Sequence, residues 1–141
     1  VLKGNNMIKL TNEERKSLVN LANEARKLAY APYSKYRVGA ALRTKTGRIF
    51  TGVNVENAVY PHTMCAERVA IFKAVSEGET EFDVIAVATD NGGSPCGGCR
   101  QVIVEFGLDT IVLIADGEGK LQKEMTISEL LPEAFTPAHL L

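Results

Sequence analysis

Apolar and polar positions along this chain repeat with two periods, and the changes from one to the other mark its elements. Thr11 followed by Glu14 has the T-x-x-E spacing of a helix-capping box. After it Leu18, Leu21, Ala22, Ala25, Leu28 and Ala29 recur at helical spacing. This predicts an amphipathic helix over Asn12 to Tyr30, lying on one face of a sheet. Pro32 follows, and proline pushes the residue before it out of helical geometry. Tyr36 to Leu42 and Arg48 to Val53 read as a hairpin turned at Lys45-Thr46-Gly47. Gly39 and the two alanines after it indicate close backbone approach to a helix or a ligand. Asn54 to Thr63 is polar, contains Pro61 and reads as a loop that delivers the chain to Cys65.

Cys65 opens a second helical pattern through Val69, Ala70, Lys73 and Val75, with Phe72 one position off and Gly78 as the stop. Asp83 to Thr89 is a Val- and Ile-rich run, the pattern of a buried strand. Asp90 to Ser94 is a Gly-rich loop, and Pro95 stands where a helix start tolerates proline. Cys96 to Phe106 reads as a third helix with Val102, Ile103 and Phe106 on one face. Thr110 to Ala115 is another strand, Asp116-Gly117-Glu118-Gly119 a turn, and Lys120 to Met125 a last strand. A short helix, Ile127 to Leu131, ends before Pro132, and Phe135 to Leu141 is a tail. The order αββαβαββα predicts an α/β fold: a three-layer α-β-α sandwich around a mixed five-stranded sheet.

Composition narrows the function. At 141 residues a single domain spanning 1–141 is expected, large enough to bury a core without disulfides. Residues 1–10 read as a lead segment, expected to be disordered, with Met7 a plausible natural start. A formal net charge of −1 and no Lys/Arg run disfavour nucleic acid as a partner. No apolar run is long enough to cross a membrane, and the start lacks a signal-peptide pattern. The cysteine count of three is odd, so the chain cannot pair them all internally. This points to free thiols or a metal in a reducing, cytoplasmic setting.

All three cysteines lie in two short segments, Cys65-Ala66-Glu67 and Pro95-Cys96-Gly97-Gly98-Cys99. Each segment opens a predicted helix, and helix N-termini favour thiolates. Three protein ligands with an open fourth position are the pattern of a catalytic zinc site. Zinc lowers the pKa of a bound water to about 7. Glu67, two residues from a ligand thiol, is then placed to accept and return protons. Three thiolates leave the zinc unit at a formal charge of about −1, so a cation is expected nearby. Arg68 and Arg100 directly follow Glu67 and Cys99, and at least one is expected to hydrogen-bond ligand sulfur; as surface arginines they would do neither.

With these residues in view the chain resembles the cytidine deaminase family, in its small, tetrameric, three-cysteine zinc branch. The resemblance covers nearly everything after the first dozen residues. It is carried by Ala31-Pro32-Tyr33-Ser34, Val38-Gly39-Ala40-Ala41, Gly52-Val53-Asn54-Val55-Glu56-Asn57, Cys65-Ala66-Glu67-Arg68, Ser94-Pro95-Cys96-Gly97-Gly98-Cys99-Arg100-Gln101 and Leu130-Leu131-Pro132-Glu133-Ala134-Phe135. It implies one zinc per chain on Cys65, Cys96 and Cys99, zinc hydroxide attacking C4 of cytosine, and Glu67 shuttling protons to N3 and to departing ammonia. It implies that Asn54 and Glu56 hold the ribose 3′-hydroxyl and that the Ala66 backbone contacts the pyrimidine. Phe135 is implied to reach a neighbouring subunit's pocket in a homotetramer. The implied reaction is hydrolytic deamination of cytidine and 2′-deoxycytidine in pyrimidine salvage.

Some positions depart from that pattern or admit another role. The family often has Phe where Tyr36 stands, and a buried tyrosine hydroxyl needs a partner. Tyr36 is therefore a candidate substrate contact. His62, three residues before Cys65, would complete a closed Cys3His structural site if it bound the metal. His139 lies in the tail with no catalytic role expected. Asn54 and Glu56 also fit simple loop capping. The alternatives are a deaminase of a modified cytosine nucleoside such as blasticidin S, a structural zinc-binding interaction module, and a redox dithiol protein using Cys96 and Cys99.

Overall fold

Pairing order in the sheet decides where the loops of this protein meet. The computed structural model describes residues 8–141. Its elements are α1 (Asn12–Arg26), β1 (Gly39–Thr44), β2 (Ile49–Val53), α2 (Ala66–Ser76), β3 (Phe82–Ala88), α3 (Gly97–Val104), β4 (Ile111–Ala115), β5 (Leu121–Thr126) and α4 (Ile127–Leu130). Single 3-10 turns occur at Tyr60–His62 and Pro137–His139. The strand order is β2-β1-β3-β4-β5. Among these five strands only β3 and β4 pair in parallel; the other neighbours are antiparallel.

Because β1 opposes both β2 and β3, those two strands run in the same direction. Gly39, the first residue of β1, sits between Val53 at the end of β2 and Ala88 at the end of β3. The loops into α2 and α3 therefore leave from the same end of the sheet. In open α/β sheets this is where sites form, beyond the carboxyl ends of strands whose connections diverge.

The sheet is covered on both faces, so β3 and β4 read as continuous apolar runs. Val84, Ala86 and Ala88 face Leu18, Val19 and Ala22 of α1. Ile85 and Val87 face the other way, into a cluster with Ala70 and Ile71 of α2 and Ile103 of α3. This is the three-layer sandwich and mixed sheet expected from the element order. Ile85 is fully buried. Truncating such a side chain to Ala costs about 2–5 kcal/mol, since the cavity left behind adds to the lost transfer energy.

Several local expectations need correction. The Thr11–Glu14 capping box is present, but α1 stops at Arg26 and not at Tyr30. Beyond Leu28, which is 81% exposed, the chain pairs with the segment after β2. Tyr30 N–H donates to the Asn54 carbonyl at 3.0 Å, and Glu56 N–H donates to the Tyr30 carbonyl at 2.9 Å. Those extended-chain bonds replace another helical turn. β1 begins at Gly39, so Tyr36 belongs to the loop before it. On α2 the buried stripe is Ala66, Ala70 and Ala74 with Ile71; Val75 packs against it only partly buried, and Phe72 is exposed. The cause is Gly52. A Cβ there would collide with the Ala66 carbonyl and come within 2.6 Å of Ala70 N, so α2 lies directly on β2 and only alanines fit beneath it. Gly39 makes the same close approach to α1, through Ala22 and Arg26. Of the expected lead segment, residues 1–7 lie outside the described residues, whereas Leu10 is buried in the α1-side core.

Candidate metal centre and active site

Two helix N-termini converge at the end of the sheet described above. Cys65 is the N-cap of α2 and Cys96 the N-cap of α3. Cys99 is one turn inside α3 and fully buried. The three Sγ atoms lie within 4.8 Å of one another, with Cys65 and Cys96 at 3.9 Å. Tetrahedral zinc with Zn–S bonds near 2.3 Å requires sulfurs about 3.8 Å apart. The donor set therefore fits zinc in spacing and in softness. Among the described residues no His, Asp or Glu joins this cluster. His62 is exposed, at the end of the Tyr60–His62 turn, so the closed Cys3His arrangement is not formed.

Charge around the sulfurs favours thiolate. The Cys65 thiol is pulled down to about 5, chiefly by a hydrogen bond from the Cys99 thiol and then by Arg68. Cys99 is pushed up because it keeps the shared proton in a buried position. Arg68 Nη2 donates to Cys65 Sγ at 3.0 Å. Arg100 does not reach sulfur, so of the two arginines it is Arg68 that makes the expected bond. Arg100 Nε donates to the Pro95 carbonyl at 2.9 Å, Nη1 to the Leu130 carbonyl at 2.8 Å and Nη2 to Ser94 Oγ at 2.7 Å. It joins the loop before α3 to α4.

A cavity of about 300 Å³ opens over the cluster. Cys65, Ala66, Glu67 and Cys96 form its floor, and Tyr36, Asn54 and Glu56 line it as well. Glu67 is 4% exposed. Burial pushes its carboxyl up to about 6, and the adjacent Cys65 charge pushes the same way. Such a carboxyl exchanges protons near neutral pH.

Asn54 is spent largely on structure. Its Oδ1 accepts from Val38 N–H at 2.9 Å and its Nδ2 donates to the Tyr36 carbonyl at 2.8 Å. These two bonds hold the start of β1 and leave one amide hydrogen free. Glu56 Oε1 accepts from the N–H groups of Tyr33, at 2.9 Å, and Ser34, at 3.1 Å. Its Oε2 accepts from the Ser34 hydroxyl. The Ser34 hydroxyl first, then the two backbone amides, hold this carboxyl below its ordinary range. Ser34 thus orients Glu56, a role with no local signal in the sequence. Thr89 was also missed: it is buried, lines the cavity and accepts from Gly93 N–H at 2.7 Å. A Thr ending an apolar strand before a Gly-rich loop was its only trace.

Phe135 does not line this cavity. It is 56% exposed, its ring stacks on His139 at a centroid distance of 5.1 Å, and its carbonyl accepts from Gln101 Nε2 at 2.8 Å.

Residues 12–115 match the model of the cytidine and deoxycytidylate deaminase zinc-binding region. The chain belongs to this family. The match spans both cysteine segments and Glu67, so the donor cluster lies within the family's zinc-binding region. A cytidine deaminase of Halalkalibacterium halodurans is 49% identical over 126 residues, 87% of this chain and 95% of that protein. A blasticidin-S deaminase of Bacillus cereus is 40% identical over 129 residues, 84% of this chain and 90% of that protein. The crystal structure of cytidine deaminase from Burkholderia pseudomallei superposes with a TM-score of 0.82 at 42% identity, covering 89% of this chain and all of that one.

Proposed function

We propose that this protein deaminates cytidine and 2′-deoxycytidine hydrolytically, giving uridine or 2′-deoxyuridine and ammonia. The observation that carries this is a buried Glu67, its carboxyl pushed up to about 6, on the cavity floor beside three converging thiols and outside their donor set. Zinc, when bound by Cys65, Cys96 and Cys99, supplies Lewis-acid activation of water at neutral pH. Glu67 would take a proton from the attacking water and give it to N3 as the oxygen bonds to C4, then take the proton left on that oxygen and give it to the amino nitrogen as the C4–N bond breaks and ammonia leaves. Burial suits Glu67 to both directions, because its two protonation states lie close in free energy near pH 6–7. The Ala66 N–H stands at the first turn of α2 with no helical partner and is available to the pyrimidine.

The opposite wall supports a nucleoside. Glu56 keeps a free lone pair on Oε2 and Asn54 a free amide hydrogen, a pairing suited to the ribose 3′-hydroxyl. An ionised Glu56 repels a 3′-phosphate, which disfavours polymeric substrates. The exposure of Phe135 outside its own cavity supports a role in covering a neighbouring subunit's pocket in a homotetramer. We place the reaction in cytoplasmic pyrimidine salvage. No helix of the described residues is long and apolar enough to cross a membrane.

The test is turnover of cytidine, 2′-deoxycytidine and blasticidin S on one zinc-quantified preparation. Conversion of the first two, with little of the third, is expected. Selective conversion of blasticidin S would overturn the substrate assignment and keep the chemistry; zinc without turnover of any of them would favour a structural module.

A further inference from the structure

Two walls of the cavity are joined by one side-chain hydrogen bond, from the Tyr36 hydroxyl to Asn91 Oδ1 at 2.8 Å. Tyr36 belongs to the segment before β1, which also carries Ser34, the hydroxyl partner of Glu56. Asn91 belongs to the β3–α3 loop, which continues through Gly93 and Ser94 to the ligand-bearing Pro95-Cys96. The hydroxyl also fills the space above Gly93. A Cβ on Gly93 would stand 2.5 Å from the Tyr36 hydroxyl oxygen, while the next nearest atoms, Thr89 Oγ1 and Asn91 Oδ1, are at 3.6 and 3.7 Å. Gly93 does not have positive φ, so its backbone would accept alanine. The hydroxyl alone excludes a side chain at this position.

We propose that the Tyr36 hydroxyl, Asn91 and Gly93 form a latch that sets the distance between the sugar-side wall and the metal-bearing loop, making Tyr36 and Asn91 positioning residues for substrate capture. Gly93 N–H is fixed from below by Thr89 and its Cα is covered from above by Tyr36. The loop is therefore held from both sides just before it enters α3. Without the latch, Ser94 and Cys96 keep their connection to α3, but the wall facing Glu56 loses its fixed register. Binding suffers more than the chemical step, because Glu67 sits on α2 and not on this loop.

The proposal rests on the deaminase function for the meaning of KM, so the test includes readouts that need no substrate. Tyr36→Phe, Asn91→Ala, Gly93→Ala, Tyr36→Phe with Asn91→Ala, and Tyr36→Phe with Gly93→Ala are compared for cytidine kinetics, zinc content and Tm. Tyr36→Phe and Asn91→Ala are each expected to raise KM about three- to tenfold, with a smaller change in kcat and no loss of zinc. Their double variant is expected to be no worse than either alone. Gly93→Ala is expected to lower both Tm and kcat/KM. Adding Tyr36→Phe to it is expected to restore both to the values of Tyr36→Phe alone, since the clash is with the hydroxyl. Multiplying effects in the first pair, or no rescue in the second, would overturn the latch. If wild-type protein does not turn over cytidine, the substrate assignment fails, and the order of Tm values still decides whether the latch exists.

Discussion

The N-termini of α2 and α3 look alike in sequence and behave differently. Each has a cysteine at the N-cap and an arginine within its first four helical residues. At α2 the arginine is three residues after the cap cysteine and folds back to its sulfur. At α3 it is four residues after, and all three of its donor nitrogens end on oxygen: Pro95, Leu130 and Ser94. Residues three and four along a helix share a face with the cap. What separates them is the neighbourhood. Arg68 lies beside a thiol that favours its anion, whereas Arg100 meets carbonyls left open by the ends of a loop and a short helix. One end therefore carries a cation against sulfur and, on the proposed mechanism, the proton-transfer group. The other carries two of the three sulfurs and is braced by its arginine without electrostatic help.

That division can be broken most severely at the α3 end. Cys99→Ala removes a buried ligand and leaves two thiols, too few to hold zinc in a three-ligand site. Metal analysis should show zinc falling to near zero, with turnover abolished and Tm no longer sensitive to chelator. Full zinc occupancy would contradict the ligand set. The α2 end fails differently. Glu67→Gln keeps the volume and all three thiols but removes proton transfer, so kcat should fall about 10³-fold with zinc content unchanged. Normal kcat in a zinc-loaded variant would take Glu67 out of the mechanism.

How far these differences were legible depends on the range of the interactions. The Thr11–Glu14 box and the cysteine segments are local, and their chemistry shows in the letters alone. The central strands β3 and β4 showed as apolar runs because both faces are covered. The inward face of α2 did not show. Its contact stripe is alanine, chosen by the approach to Gly52, and Val69 and Phe72 looked more hydrophobic than the residues buried. The jobs of Arg68 and Arg100 were not separable either, since Leu130 lies 30 residues from Arg100. The Tyr36–Asn91 bond joins residues 55 apart, and only the need of a tyrosine hydroxyl for some partner was foreseeable.

A subtler break replaces each arginine in turn. Arg68→Gln removes the cation beside Cys65, whose thiol then titrates higher. Zinc affinity, measured by competition with a chromophoric chelator, should fall about 10- to 100-fold, as for other lost partners of metal ligands. An unchanged affinity would mean that Arg68 is incidental to the metal.

Arg100→Gln is the smallest expected change and the sharpest control. Glutamine can keep one of the three hydrogen bonds in neutral form, so all three acceptors lose a charged donor and two lose their donor outright. Bonds to a charged group are worth about 1.5–3 kcal/mol each when buried, and here Ser94 is exposed and water replaces part of the loss. A net cost of about 2 kcal/mol follows, a fall in Tm of roughly 5 °C for a chain of this length. Because no bond of Arg100 ends on sulfur, zinc affinity should stay within about twofold of wild type. A large loss of zinc affinity with little change in Tm would invert the comparison: the α3 arginine would then act on the metal through the Pro95 carbonyl and the turn it fixes, and similarity of sequence at the two helix starts would have been the better guide.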